Sequence, residues 1–554
     1  MKGPPLPAVR HATLGDALDT AARSRHGLVF VDLRERERRV PWSEILAEAA
    51  RGATALVAAG VRPGDRVALV LRTSPEFVTM FFAALLARAI PVPLYPPVRL
   101  GRLDEYHAQL ARMLQRVGAR MVVSESMIRG FLGRAIEQAR PPLGCRNAAE
   151  LSASRATRVA ASPDDIAFIQ FSSGSTVDPK PVALSHRNLG AQLAALESLL
   201  LPDAPPIGVS WLPLYHDMGL IGCLLLAVYH PGTLVLLAPE HFITRPALWL
   251  RAIARHRAGI SPAPNFAYAL CARRVRNEEL AGLDLSCWRH ALDGAEPIAV
   301  SAARRFCERF ARVGFDPGAL QPVYGLSEAA LAVTFTKCGR ELRIARRGAR
   351  EIASVGRPVP GMELVLREGR VFVRGASVMT EYFGDPEATA RAIVDGWLDT
   401  GDLGFVREGE LYISGRAKDV VIVRGANHSA QEFEECLDGI DGVRAGCAVA
   451  LGFVPPDGDG EELLILAEHT GSADAAAIRA AILERTGVRA HTVALLEPGT
   501  LPRTSSGKLR RGEALRRFCD GSLAPPRRMG AFALARELVR SAWAYARIPE
   551  EQGA

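Results

Sequence analysis

Asp165-Ile166-Ala167-Phe168-Ile169-Gln170 runs directly into Phe171-Ser172-Ser173-Gly174-Ser175-Thr176, and a cation follows at Lys180. The first six residues predict a short buried strand. After Phe171 the residues are small and hydroxylated around a glycine. A loop leaving such a strand can turn its N–H groups and hydroxyls inward around an oxyanion. Gly174 lets the backbone approach closely, and Lys180 adds positive charge. That chemistry suits the polyphosphate of a nucleotide, with Ser172, Ser173, Gly174, Ser175, Thr176 and Lys180 as its cradle. An ordinary surface turn has the same composition, so the stretch needs support from the rest of the chain.

Outward from that loop, apolar strand-like runs alternate with Ala/Leu/Arg-rich helical stretches. Val67–Leu71 followed by Pro75–Arg88 is one unit, and Gly118–Ser124 followed by Met127–Ala139 is another. The alternation predicts an α/β fold with largely buried sheets. Pro91–Pro97 (PVPLYPP) predicts an extended connection. Beyond Gly415-Arg416 the segments shorten to Cys447–Phe453, Glu462–Glu468, a helix Ala473–Thr486 capped by Ser472, and His491–Leu496. We expect residues 1–415 to form a large N-terminal α/β domain of several subdomains. Residues 416–523 form a small α+β domain, with the boundary at Arg416–Asp419 and a cleft between the two. Residues 524–554 make a helical tail. Its Phe532, Leu534, Leu538, Val539, Trp543 and Tyr545 either pack on the body or form a docking or membrane-surface helix.

A chain of 554 residues with 48% hydrophobic content can bury large cores. Met1 to Arg10 lacks the pattern of a signal peptide, and the longest apolar run, Ile221–His230, is too short to span a bilayer. Nine scattered cysteines without a CxxC pair suggest free thiols in a reducing cytoplasm. The net charge of +8 concentrates near the end, at Arg503, Lys508, Arg510, Arg511, Arg516, Arg517, Arg527 and Arg528. No zinc finger or recognition helix accompanies it, so nucleic acid is not the expected partner. An acidic protein surface or nucleotide phosphates fit the charge as well.

Six further clusters follow in order. They are Asp293-Gly294-Ala295-Glu296-Pro297, Tyr324-Gly325-Leu326-Ser327-Glu328, Trp397 to Leu403 (WLDTGDL), Gly415-Arg416-Ala417-Lys418-Asp419, Gly425-Ala426-Asn427, and Leu501 to Lys508 (LPRTSSGK). With them the sequence resembles the adenylate-forming, acyl-activating enzymes over almost its whole length. Ser210 to Leu220 (SWLPLYHDMGL), Pro264-Asn265-Phe266-Ala267-Tyr268, Arg424 to His428 and the PVPLYPP stretch resemble the fatty acyl-AMP ligase branch.

The resemblance implies that a carboxylate attacks the α-phosphorus of ATP and expels pyrophosphate, so cations and N–H donors must surround the phosphates. It implies that Glu328 and Thr176 hold Mg²⁺, a hard cation suited to oxygen ligands. Tyr324 would stack on adenine beside Asp293, Gly294 and Ala295, with Gly325 and Ser327 in the same segment. Asp402 would accept the ribose hydroxyls with support from Arg416. His216 would lie beside the acyl carboxylate, Lys508 would neutralise charge where the reacting atoms meet, and Lys418 would be the hinge of a mobile small domain. Taken singly, each has a plainer reading: a solvated glutamate, a core tyrosine, a turn aspartate, a satisfied histidine, an exposed lysine. The expected acceptor is the phosphopantetheine thiol of an acyl carrier protein, with coenzyme A as the alternative.

Val177 and Pro181 stand where the family usually has glycine, which leaves a catalytically impaired nucleotide- or acyl-binding relative as a further alternative. Lys337–Ser354, with Arg340, Arg343, Arg346, Arg347 and Arg350, occupies the place of the branch's motion-restricting insertion; a solvated hairpin fits the same charge run. Ala430 replaces the usual proline of the small-domain core motif.

Overall fold

In a computed structural model the described residues are 1–547, except 98–99, 157, 173–178, 203–205, 348–349, 424–425, 438, 456–460, 505–506 and 528. Two α/β layers carry the large domain. The first is a four-stranded parallel sheet in the order Ile90–Leu94, Arg66–Val70, Met121–Ser124, Cys145–Asn147. Its helix Pro75–Leu86 starts at Ser74, whose Oγ accepts the Phe77 N–H, with Pro75 in the first turn. Every residue of that helix from Phe77 to Leu86 except Thr79 is buried, as an all-round apolar helix between layers should be.

The prolines of PVPLYPP do not simply connect, which corrects the expectation above. Ile90–Leu94 is an edge strand paired with Arg66–Val70. Ile90 donates its N–H to the Asp65 carbonyl at 2.8 Å. Strand alternation then turns Pro91 and Pro93 away from the ladder, where a missing N–H costs nothing.

The second layer is a long mixed sheet. Gly27–Val31, Thr233–Leu237, Ile207–Ser210, Ile260–Ala263, His290–Asp293 and Leu320–Gly325 run parallel through it. It continues antiparallel through Ala332–Phe335, Arg350–Pro358, Glu410–Arg416, Trp397–Arg407, Arg370–Gly375 and Met362–Arg367. Ligands of open α/β sheets sit beyond the carboxyl ends of parallel strands. Here those ends lead into Trp211, Pro264, Gly294 and Leu326. The apolar run after His216 is core. It turns helical at Asp217–Gly219, widens to π geometry over Leu220–Leu225 and closes at Leu226–Tyr229, almost wholly buried. Among the described residues no helix is long and apolar enough to cross a membrane.

The strand expected before the phosphate loop is Ile166–Phe171, paired antiparallel with Pro181–Ser185. Pro181 occupies the first position of its strand, which proline tolerates. Ser173, Gly174, Ser175, Thr176 and Val177 lie outside the described residues.

The smaller C-terminal domain packs Val443–Phe453, Glu462–His469 and Thr492–Leu496 into a three-stranded sheet with helices Ala475–Thr486 and Arg511–Cys519. The first of these helices is capped by Asp474, which accepts the Ala476 N–H; Ser472 lies too far upstream, contrary to expectation. Ala430 is buried at the first position of helix Ala430–Glu434, a place where proline would also fit. The tail helix Ala531–Ala546 packs against helix Ser126–Ala139 through buried Ser541 and Ala544 and through Tyr545. Phe532 and Trp543 stay 85% and 65% exposed, so the apolar residues named from the sequence are not, as a set, the ones that dock.

Candidate active site

The carboxyl ends of the parallel strands open onto a cavity of about 360 Å³ whose wall is completed by Arg416, Ala417, Lys418 and Lys508. Of the residues expected from the sequence, Ser172, Lys180, His216, Ala295, Tyr324, Gly325, Ser327 and Glu328 also line it. Asp402, Asp293 and Gly294 stand behind that lining. Gly294 permits a close approach, since a Cβ there would lie 2.6 Å from Val323 Cγ2.

One wall is wired around a carboxylate. Tyr324 donates its hydroxyl to Asp402 Oδ2 at 2.6 Å, and Arg416 donates Nε–H to Asp402 Oδ1 at 2.8 Å. Asp402 and Arg416 face each other on the paired strands Trp397–Arg407 and Glu410–Arg416. A ladder irregularity at Tyr324/Gly325 aims the ring, and Gly325 is obligatory there because a Cβ would fall 1.7 Å from the Leu331 carbonyl oxygen. Burial and the Asp402 charge push the Tyr324 phenol well up. Each Asp402 oxygen has two lone pairs, so both retain capacity for a ribose hydroxyl.

A second network lies at the junction with the acyl side. His216 caps the turn at Asp217–Gly219, and its Nδ1 lies 2.8 Å from Asp217 Oδ1. Ser327 donates its hydroxyl to Asp217 Oδ2. Burial alone would raise the Asp217 carboxyl, but His216, Ser327 and Lys508 outweigh it and hold the group well below the usual carboxylate range. Asp217 received no role from the sequence, although it sits in the quoted HDMG stretch.

On the phosphate side, Ser172 and Lys180 close the base of the loop. The Ser172 N–H donates to the Lys180 carbonyl at 2.8 Å, and the Lys180 N–H donates to Ser172 Oγ at 3.1 Å. Lys180 Nζ sits 4.5 Å from the Tyr382 ring centroid, and the Tyr382 hydroxyl donates to Glu328 Oε1 at 2.9 Å. Tyr382 thus joins the cation to the carboxylate. No local signal marks it in sequence, because its role arises from contacts far along the chain.

Glu328 fits a metal-holding role. It faces the cavity with one oxygen engaged by Tyr382. Among the described residues no cluster of three or more His, Cys, Asp or Glu could hold a metal by itself.

Lys508 enters from the small domain on a turn. Its N–H donates to Thr504 Oγ1 at 3.0 Å, and its carbonyl accepts the Thr504 N–H at 2.8 Å. Gly507, with φ +91°, supplies the left-handed step. Burial pushes the Lys508 ammonium below the ordinary lysine range; Asp217, Glu296 and Asp402 pull it back, and Arg416 adds to the depression. Behind the cavity, burial pushes the Asp293 carboxyl well up despite Asn265, which donates to Oδ2 at 2.7 Å.

One side of the cavity is apolar. Leu196 and Leu200, from the helix His186–Leu200 capped by Ser185, face Met218, Gly222, Leu331 and Phe335 around the cavity. A Cβ at Gly222 would come within 2.9 Å of Leu331 Cδ2, so the glycine keeps this space open.

The basic segment Lys337–Ser354 meets the expectation of a solvated hairpin in part: Ile344–Arg347 pairs antiparallel with Arg350–Pro358, but Arg350 is not solvated. Arg350 has only 11% of its side chain exposed, and it donates to Glu435 Oε1 at 2.9 Å, the Ser414 carbonyl at 2.6 Å and Ser429 Oγ at 3.1 Å. It therefore ties the large domain to the small one, whereas Arg346 stays solvated beside Glu351. Arg511 is held by Glu434 and Asp419, and Arg516 and Arg517 are held by Glu513.

Residues 18–383 match the family pattern described as AMP-binding enzyme. A protein of Caulobacter vibrioides provisionally named an acyl-CoA synthetase is 36% identical, over 92% of this chain and 96% of its own. The medium-chain-fatty-acid–[acyl-carrier-protein] ligase TtuA of Teredinibacter turnerae is 28% identical, over 83% of this chain and 86% of its own. A solved structure from a study of fatty acyl-adenylate ligases of E. coli and L. pneumophila superposes with a TM-score of 0.86 at 34% identity. It covers 93% of this chain and 99% of that one.

Proposed function

The chain belongs to the AMP-binding enzyme family, and from that premise we propose that it joins a fatty carboxylic acid to AMP and then passes the acyl group to a carrier-protein thiol. The observation that carries this reading is a single cavity bordered by the Tyr324–Arg416 wall, an apolar acyl side and Lys508 of the small domain. Tyr324 gives adenine a face to stack on, and Asp402 accepts the ribose hydroxyls while Arg416 holds the carboxylate in place. A carboxylate oxygen of the acid forms a bond to the α-phosphorus as the bond to pyrophosphate breaks. No proton moves in this step. The Lys508 ammonium neutralises charge between the two anions, and Lys180 offsets charge on the leaving phosphates. Glu328, with Thr176 of the phosphate loop, would hold Mg²⁺, which supplies further charge neutralisation when bound. Leu196, Leu200, Met218, Leu331 and Phe335 offer an alkyl chain an apolar lining without a charged partner.

In the second step a thiolate attacks the acyl carbon and AMP leaves, with the thiol proton lost to water. That step needs Lys508 to withdraw, so we place the domain boundary at Arg416 and the hinge at Lys418. Burial pushes the Lys418 ammonium down, as does Arg416 beside it. The Arg350–Glu435 tie favours the carrier protein, because it restrains the motion that a freely diffusing thiol would exploit. Coenzyme A is the alternative acceptor, and the provisional name of the Caulobacter relative supports it. The protein works in the cytoplasm on this reading.

Pyrophosphate release from ATP with a panel of carboxylic acids tests the first step. Turnover with medium or long alkyl acids is expected; ATP binding without turnover on any acid contradicts it. Coenzyme A and holo carrier protein, offered in turn to the preformed adenylate, decide the acceptor.

A further inference from the structure

The tail beyond the small domain returns to the large domain and docks there with specific chemistry. In helix Ser126–Ala139 the Arg129 carbonyl and the Gly133 N–H lie one turn apart. Tyr545 donates its hydroxyl to the first at 3.1 Å, and Ser541 Oγ accepts from the second at 2.8 Å. Gly133 leaves no room for anything larger: a Cβ would lie 2.1 Å from the Ser541 carbonyl oxygen. The Arg129 guanidinium stacks 5.5 Å from the Tyr545 ring centroid. Ahead of the helix, the Arg527 carbonyl oxygen is seated against Gly101, where a Cβ would meet it at 2.4 Å.

The segments feeding this tail are gripped as well. Arg102 Nη2 donates to the carbonyls of Gly499, Thr500 and Ala524 at 3.3, 3.1 and 3.0 Å. Arg517 forms a two-pronged pair with Glu105 at 3.0 and 2.8 Å. Arg102 and Glu105 flank the start of helix Leu103–Arg116 in the large domain, so the small domain is held beside Lys508's own segment.

We propose that this tail is a tether that keeps the small domain in the orientation presenting Lys508, and that it thereby selects against free coenzyme A as acyl acceptor. The proposal rests on the function inferred above. Any rotation about Lys418 that withdraws Lys508 carries residues 499–523 away from Arg102 and Glu105. The chain from 524 to 530 could then pay out at most about 25 Å if fully extended, and about 10 Å while Arg527 stays seated. A larger swing requires the tail helix to leave its seat. A carrier protein can supply binding energy for that from its own surface, whereas a small thiol has far less to offer.

The test uses the full chain with Ser541→Leu, which clashes at Gly133 from the tail side and leaves the large domain unaltered, and Glu105→Ala as a second variant. Chemically prepared acyl-adenylate is supplied, so transfer to coenzyme A is read without the first step. Both variants should transfer to coenzyme A at least tenfold faster than the wild type, with adenylate formation from acid and ATP within twofold. Trypsin should cleave after Arg527 at least tenfold faster in Ser541→Leu, because its seat at Gly101 empties. Faster cleavage with unchanged transfer to coenzyme A overturns the tether, and so does unchanged cleavage in Ser541→Leu. A wild type that forms no adenylate from any acid contradicts the function proposed above, while the supplied adenylate still decides the tether.

Discussion

Tyr324 and Arg416 both bond to Asp402, which faces Arg416 across two paired strands, and His216 and Ser327 likewise converge on the buried Asp217 carboxylate. Among the described residues, the seam with the small domain shows no such core. It is held by separate ion pairs and side-chain-to-carbonyl bonds, notably Arg350–Glu435, Arg517–Glu105 and Arg102 with its three carbonyls. Groups that must wait in one geometry for a nucleotide are fixed by burial, which is costly to undo. Groups that must part and rejoin are held by contacts that water can replace one at a time. The difference is what the proposed domain motion would require.

Perturbing the fixed wall should cost most. Asp402→Ala removes the ribose acceptor and strands Arg416, with an expected loss of roughly 3–5 kcal/mol in kcat/KM for ATP. Isotope exchange between ATP and pyrophosphate would measure it; a loss under tenfold would detach Asp402 from the nucleotide.

Next comes the pH profile of adenylate formation. Lys508 acts protonated, and burial sets its ammonium below the ordinary lysine range. The rate should therefore fall as pH rises through that depressed value, earlier than a solvated lysine would allow. In Lys508→Arg the alkaline limb should disappear even though the rate is lower. An unchanged limb would assign it to another group.

Asp217→Asn should destabilise the protein by roughly 1–3 kcal/mol at neutral pH, because the amide keeps only one oxygen to accept from Ser327 or His216, faces the other with a donor and loses the charge. The sign with pH follows from the lowered carboxyl. Its stabilisation is present above the ordinary carboxylate pKa and is lost as pH falls toward the depressed native value. Melting temperatures across that acid range should converge between variant and wild type. A gap that persists at the acid end would place the effect in packing.

The smallest effect belongs to the seam. Arg350→Ala should leave adenylate formation within about twofold, since Arg350 is not among the residues lining the cavity, while raising acyl transfer to coenzyme A severalfold. Loss of adenylate formation would mean that the hairpin shapes the site itself.

The strand ahead of the Ser/Gly/Thr stretch was legible from its own residues. Tyr324, Glu328 and Lys508 were legible only as a set, because each alone has a plainer reading and the ordered clusters that resemble the adenylate-forming enzymes supplied their roles. The fold class and the two-domain division followed from strand and helix alternation. Three features escaped for a common reason. Tyr382 acts only because Lys180 and Glu328 converge on it from distant segments. Pro91 and Pro93 read as an extended connection, and only pairing on one side, which makes their missing donors harmless, turns the stretch into a strand. The tail packs on the body, one of the two readings the sequence offered, and Tyr545 takes part; the rest of the face, Ser541, Ala544 and Gly133 of the opposing helix, is too small to register in a search for apolar stripes.

The central claim is that Lys508, carried on the small domain, joins the acid to AMP. Its most direct test is single-turnover adenylate formation by Lys508→Ala, in protein shown by its melting curve to be folded, with transfer from supplied acyl-adenylate measured alongside. The account predicts that formation falls by a hundredfold to a thousandfold, roughly 3–4 kcal/mol, while transfer stays within a few-fold of wild type. Adenylate formation at the wild-type rate would contradict it.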